Sequence, residues 1–303
     1  MFNLSLLTTF PGEIAALTAA LLWAIASVVF SQVGRKIPPM GLNLFKGLIA
    51  LVLLLITLQF RGQNFPQIGP VAIGLLLLSG AIGIGIGDSA YFATLNALGP
   101  RRALLLETLA PPLTAILAFV FLQERLSLTA LGGIGLTVLG VAWVISERVT
   151  ANTASETNLW PGLGFGLVAE LCQATGAILS HFVLTETVIS PLWSTSLRLM
   201  GGIGVLLLWW PGYSTYQRAG IALRSPRVLG VVTLATFLGT YLGIWLQQTA
   251  FKFTAAGIAQ ALSSTSPLFV LPIAASLGDR ISLRAVFGAM VAVVGVILLF
   301  LGR

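Results

Sequence analysis

Runs of roughly twenty apolar residues recur from one end of this chain to the other, each long enough to cross a hydrocarbon core of about 30 Å. No other feature limits the fold so sharply. Inside a bilayer every backbone N–H and carbonyl must find a partner within the protein, which leaves helices or a closed barrel. Composition agrees: of 303 residues, 57% are hydrophobic and 8% are charged, against about 25% charged in an ordinary soluble domain. The expected architecture is an all-α polytopic membrane protein. The net charge of +7 is then no footprint of nucleic acid, because the basic residues gather in short loops, where they act as orientation signals. The single cysteine, Cys172, rules out an internal disulfide. The start, "MFNLSLLTTFPGE", carries no Lys or Arg and so lacks the charged region of a secretory signal; the first apolar run reads as a retained span.

Apolar length and polar breaks mark ten spans, at approximately 12–33, 39–60, 69–95, 101–122, 128–146, 160–183, 190–211, 227–251, 254–277 and 282–301. The most polar stretch, "ERVTANTASETNLW", separates five helices in 1–150 from five in 151–303. No loop is long enough to hold a soluble domain.

The two halves echo each other. A shift of 155 residues carries "PPLTAILAFVFLQERLSLTALGGIGLTVLG" onto "SPLFVLPIAASLGDRISLRAVFGAMVAVVG", placing Pro112 on Pro267, Glu124–Arg125 on Asp279–Arg280, Ser127 on Ser282, Gly133 on Gly288 and Gly140 on Gly295. A smaller shift pairs Lys46 with Arg198, each seven residues after a proline. Five helices is an odd number, so the second copy must enter the membrane with the opposite orientation, as in secondary transporters. The charged pairs in "QERLS" and "GDRIS" then mark helix ends at the interface, with Ser127 and Ser282 placed to cap the helix that follows. The seven-residue glycine spacing sets one small-residue face on each of two helices, suited to close packing within the chain or between chains.

The stretch "LNALGPRRALLLETLAPPLTAILAFVFLQERLSLTALGGIGLTVLGVAWVI", with its weaker copy "AFKFTAAGIAQALSSTSPLFVLPIAASLGDRISL", resembles the repeat of EamA-type transporters of the drug/metabolite transporter superfamily. The resemblance covers both halves. It implies two inverted five-helix repeats around a central cavity that opens alternately to the two sides of a bacterial inner (plasma) membrane. It also implies a small polar metabolite as solute, with export driven by protons or by a counter-substrate.

Ionisable and polar groups inside the spans are costly and need a reason. Lys46 and Arg198 lie about two turns into their helices, roughly 10 Å, where they either snorkel to the interface or draw an anion into the cavity. Glu170 sits near the midplane, too deep to snorkel, with Gln173 near the same side. Desolvation of an acid at that depth makes it a candidate to gain and lose a proton during transport, with Glu107 and Asp88 as further candidates. Glu107 lies one turn before Pro111–Pro112, and "ALSSTSP" presents Ser263, Ser264, Thr265 and Ser266 before Pro267. Proline frees a helical carbonyl, so Pro112 and Pro267 are expected to break their helices beside the solute path. In the third and eighth spans Asp88, Tyr91 and Asn96 stand opposite Tyr241, Trp245, Gln247 and Gln248. Trp23 is cavity wall or interface anchor, and His181, at the end of its span, reads as interfacial. The solute-binding set is therefore Trp23, Lys46, Asp88, Tyr91, Glu107, Glu170, Gln173, Arg198, Tyr241, Trp245, Gln248 and Ser263.

Rival readings fare worse. "GIGD" at Gly85–Asp88 matches part of an intramembrane aspartyl protease motif, but that chemistry needs two carboxylates sharing a proton, and the other aspartate, Asp279, belongs to the interfacial "GDRIS" element. No metal cluster or phosphate-binding loop is evident, so neither an enzyme nor an ATP-driven pump is expected, and no cofactor. A transporter of a small zwitterionic or anionic solute, an amino acid or organic acid, is the favoured reading. An exchanger of phosphorylated or nucleotide-linked metabolites stays open through Lys46, Arg198 and Lys252, and a non-transporting sensor or assembly protein is the rival of another class. Loops after odd-numbered spans hold ten basic residues (Arg35, Lys36, Arg101, Arg102, Arg148, Arg218, Arg224, Arg227, Arg280, Arg284), and the opposite side holds four (Arg61, Arg125, Lys252, Arg303). The positive-inside rule thus places both termini outside the cytoplasm, whereas the resemblance implies both inside.

Overall fold

The structure, a computed structural model, describes residues 9–31, 39–98, 103, 106–147, 159–208, 219–276 and 282–302. Among them it is built of helices: α1 (Pro11–Ser31), α2 (Pro39–Phe60), α3 (Pro70–Gly80), α4 (Asp88–Leu98), α5 (Ala110–Leu117), α6 (Leu128–Glu147), α7 (Leu159–Glu186), α8 (Pro191–Leu208), α9 (Pro226–Thr236), α10 (Gly243–Phe253), α11 (Ala256–Ser263), α12 (Ser266–Ser276) and α13 (Leu283–Leu301). Several open on proline, whose missing N–H is one that a helix start leaves unpaired anyway. Among the described residues nine helices are long and apolar enough to cross a membrane, and Ala110–Leu122 is a shorter apolar helix. The fourth expected span, 101–122, is described only in part.

Two spans are not plain α-helix. After the 11-residue α3, π-helical turns run through Ala81–Gly87 before α4 resumes, and after the 11-residue α9 they run through Phe237–Leu242 before α10. The two distortions thus fall at the same distance from a helix-opening proline. A third π segment, Ala118–Leu122, ends α5.

The glycine faces pack within the chain, settling a choice that spacing alone left open. A Cβ on Gly140 would lie 2.4 Å from the Ala292 nitrogen, and one on Gly295 2.4 Å from the Thr137 nitrogen, so α6 and α13 touch backbone to backbone. Ser127 and Ser282 both cap: their Oγ atoms accept from the N–H groups of Ala130 and Ala285, each at 3.1 Å.

One end of the molecule interlocks. Phe10 meets Phe300 edge to face, Ser127 Oγ donates to the Gly302 carbonyl at 2.5 Å, and Thr254 fills the notch at Gly12. Ser190 Oγ donates to Gln63 Oε1 at 2.9 Å, and Lys252 Nζ to the Ile189 carbonyl at 2.5 Å. The first and last described residues therefore share this end with the turns after α2, α7 and α10 and the turn before α6.

The helix breaks differ in mechanism from expectation. Pro111 and Pro112 sit in the first turn of α5, and Pro267 in the first turn of α12, where proline forfeits no bond of its own segment. The interruptions themselves are the turns at Thr108–Leu109 and Ser264–Thr265, just before the prolines. Arg35, Lys36, Arg101, Arg102, Arg148, Arg218, Asp279, Arg280, Arg303 and the side chain of Asn96 lie outside the described residues.

Candidate functional site

Asp88 begins α4 where the first π segment ends, and three helices deliver partners to it. Lys46 of α2 places Nζ 3.6 Å from Asp88 Oδ2, each side chain 23% exposed. Gln173 of α7 donates from Nε2 to Asp88 Oδ1 at 3.2 Å and, more weakly, to the Gly83 carbonyl of the π segment at 3.5 Å. Asn43, one turn before Lys46, is near enough to bear on the Asp88 charge but makes no well-formed hydrogen bond.

Arg198 of α8 approaches the same point and exerts its charge on Asp88. It can do so because Gly80 has no side chain: a Cβ there would stand 1.7 Å from the Arg198 carbonyl, so α8 lies directly on the start of the π segment. Arg198 is 3% exposed, and its Nε and Nη1 have no hydrogen-bond partner. Neither cation snorkels: Lys46 holds Asp88, and Arg198 is enclosed by helices.

A second group of acids adjoins the first. Tyr91, one turn beyond Asp88, lies within electrostatic reach of Glu107, Glu170 and Asp88. Glu107 and Glu170 bear on each other, and Glu107 on Asp88. The Glu107 side chain is exposed on the helix surface. Glu170 is 1% exposed with Oε2 unpaired. The cluster thus joins three carboxylates, two cations, a phenol and an amide across spans drawn from both halves of the chain.

The remaining predicted residues lie elsewhere. Tyr241, in the second π segment, bonds Thr57 across 2.8 Å and stacks on Phe237, and Trp245 carries the Arg61 guanidinium 5.2 Å above its ring. Thr57 is eleven residues along α2 from Lys46, roughly 16 Å, so this aromatic group stands apart from the charged one. Gln248 is fully buried and accepts from Ser194 Oγ at 2.9 Å. Trp23 donates to the Gly239 carbonyl at 2.7 Å, pinning α1 to the second π segment. Ser263 is buried at the end of α11 beside the helix break, and Gln247 is half-buried. His181 lies near the end of α7 and lines two pockets. It is 5% exposed and bonded on both ring nitrogens, to Glu124 and to the Phe251 carbonyl. Sequence reasoning passed over Asn43, Thr57 and Ser194, and counted Arg61 only as an orientation signal. The polar run Ser194–Thr195–Ser196 before Arg198, all buried, was the signal for Ser194.

A bundle of helices apolar enough to cross a membrane, with ionisable groups paired among them, marks a candidate solute or ion pathway. The comparisons make this specific. The EamA-like transporter family matches residues 10–146 and 160–301, and the chain belongs to that family. A protein of Archaeoglobus fulgidus named an uncharacterized transporter is 27% identical over 292 residues, covering 94% of this chain and 96% of its own. The uncharacterized transporter YyaM of Bacillus subtilis is 25% identical over 253 residues, covering 83% and 80%. A solved crystal structure, 16% identical, superposes with a TM-score of 0.75 over 97% of this chain and 98% of its own, a likeness of fold. An integral protein of the plasma membrane fits all of these.

Proposed function

We propose that this transporter moves a small zwitterionic or anionic metabolite, an amino acid or organic acid, by alternating access, with export coupled to protons. In this reading residues 1–150 and 151–303 are two inverted five-helix repeats, ten spans in all, around a central path. The observation that carries it is the Asp88 cluster. Lys46 and Gln173 hold Asp88 where a π distortion interrupts a span, a place where such distortions gather at functional sites, and matched discontinuities in two halves point to a transport site.

The roles follow from charge. Arg198 offers two unsatisfied donors to a carboxylate, and Lys46 can leave Asp88 for one. Glu170, enclosed and with the charge of Glu107 bearing on it, is costly to keep ionised without compensation, so the pair takes up a proton or the ammonium of the solute. Glu170, the more enclosed, is the coupling acid, and Glu107, the more exposed, its relay. Tyr91 between them orients the solute by its hydroxyl.

Exchange of phosphorylated solutes has less support, since Lys252 is committed to the Ile189 carbonyl at the interlocked end and does not join Lys46 and Arg198. Uptake of a metabolite panel into proteoliposomes, wild type against Asp88→Asn, tests the reading. Transport of a zwitterion or organic anion that the variant lacks supports it, and equal transport by the two proteins refutes the site.

A further inference from the structure

The turn "LQERLS" does more than end a span. Gln123 is, among the described residues, the one non-glycine residue with left-handed backbone, φ 54°, a conformation that costs such residues about 1 kcal/mol or more. It halts the π segment Ala118–Leu122 and delivers Glu124 into the bundle. There Glu124 Oε1 stands 2.6 Å from His181 Nε2, and Oε2 accepts from the Ala256 N–H at the start of α11 at 3.2 Å. His181 Nδ1 lies 2.5 Å from the Phe251 carbonyl at the end of α10. One side-chain pair therefore ties the turn before α6 to α7, α10 and α11, all at the end of the molecule where the described chain begins and finishes.

The donors and acceptors of this chain of bonds can be counted. A carbonyl only accepts, so Nδ1 must carry a hydrogen. The short Nε2–Oε1 contact then needs one more proton, held as imidazolium with carboxylate or as imidazole with carboxylic acid. Remove it, and a nitrogen lone pair faces a carboxylate at hydrogen-bond distance, which is repulsive.

We infer that Glu124 and His181 form a second proton-binding site, a latch that holds this end of the transporter closed while it carries one proton and opens when that proton leaves. The inference does not depend on Glu170 or on the identity of the solute. The proton has a way out, because two pockets flank the pair and Glu124 and His181 line both. The other charged groups facing the latch are Arg125, beside Glu124, Glu186 at the end of α7, and Lys252, whose ammonium is spent on Ile189. Glu13 of α1 is buried next to the Gly12–Thr254 contact and already has a partner.

Two measurements test this. His181 is the chain's single histidine, so protein labelled with nitrogen-15 histidine gives one pair of ring signals. Nδ1 should stay protonated throughout as pH is raised, while the Nε2 signal moves when the latch proton leaves. A bare Nδ1, or an Nε2 signal that does not move, overturns the proposal without any variant. The second measurement uses Thr254, buried beside the latch, as Thr254→Cys in a Cys172→Ala background. Glu124→Gln keeps both hydrogen bonds, donating to Nε2 and accepting from Ala256, yet has no proton to lose. The labelling rate relative to Glu124→Gln, a ratio that cancels thiol chemistry, should be near one at low pH and rise at least about threefold at high pH. With His181→Ala it should be high at both. A ratio flat with pH, or Glu124→Gln labelled as fast as His181→Ala, contradicts the latch.

Discussion

Asp88 is the residue on which the charged cluster turns, and its replacement separates structure from function. Asp88→Asn leaves Lys46 facing a neutral amide in a partly enclosed place, which costs about 1–3 kcal/mol of stability and is expected to abolish transport. Lys46→Met with Asp88→Asn removes both charges. Melting in detergent should return toward wild type while transport stays lost, and a double variant that transports normally would make the pair structural only. Glu170→Gln keeps size and hydrogen bonding but cannot ionise. It should still bind solute, measured by equilibrium binding, while accumulation in liposomes no longer responds to an imposed pH gradient. Much of this cluster was legible in the sequence, because a charge inside a span is rare enough to point at itself: Lys46, Asp88, Glu107, Glu170 and Arg198 were all found that way. Asn43 was not, since lone amides are common in membrane helices and only three-dimensional packing shows which ones face a charge. The partners of His181 were hidden for a related reason. Its position near a helix end suggested water, but the left-handed turn at Gln123 that brings Glu124 to it leaves no mark in hydropathy.

Among elements, the pairing of α6 with α13 offers the sharpest contrast. Gly140→Val drives a side chain into the backbone of α13, where even a Cβ would lie 2.4 Å from the Ala292 nitrogen, and overpacking of that kind costs about 1–3 kcal/mol or more. Gly135→Ala, on the same helix, meets nothing within 4 Å and should be neutral or stabilising by up to about 1 kcal/mol. Thermal unfolding of the two variants in detergent should differ in sign or nearly so. The spacing of the glycines announced the faces, and the partner came only with the fold. The proline breaks were legible in place but not in detail. Pro267 costs α12 nothing, yet its ring would clash with the Ser263 carbonyl if α11 and α12 joined in one helix. Pro267→Ala removes that obstacle, so the turn at Ser264–Thr265 should straighten and transport should fall while the melting temperature holds. Full transport at normal expression would reduce the break to a packing feature. The π segments escaped sequence reading altogether, because an apolar run carries no mark that separates a π turn from an α turn.

At the scale of the whole molecule, the apolar runs determined the class of fold and the echo between halves suggested its organisation, since both rest on periodicities that survive without coordinates. Orientation is the open consequence. The basic residues weigh ten to four toward the ends opposite the termini, so a C-terminal fluorescent reporter should stay dark in the cytoplasm, and fluorescence there would favour the orientation that the family resemblance implies. The central claim is that Asp88, Lys46, Gln173, Arg198 and the Glu107–Glu170 pair form one solute and proton site. Its most direct test is accumulation of zwitterionic and anionic metabolites in proteoliposomes under an imposed pH gradient, with wild type and Glu170→Gln side by side. The account predicts at least one solute concentrated by the wild type against its gradient and merely equilibrated, or not moved, by Glu170→Gln. Wild-type, pH-dependent accumulation by Glu170→Gln would contradict it.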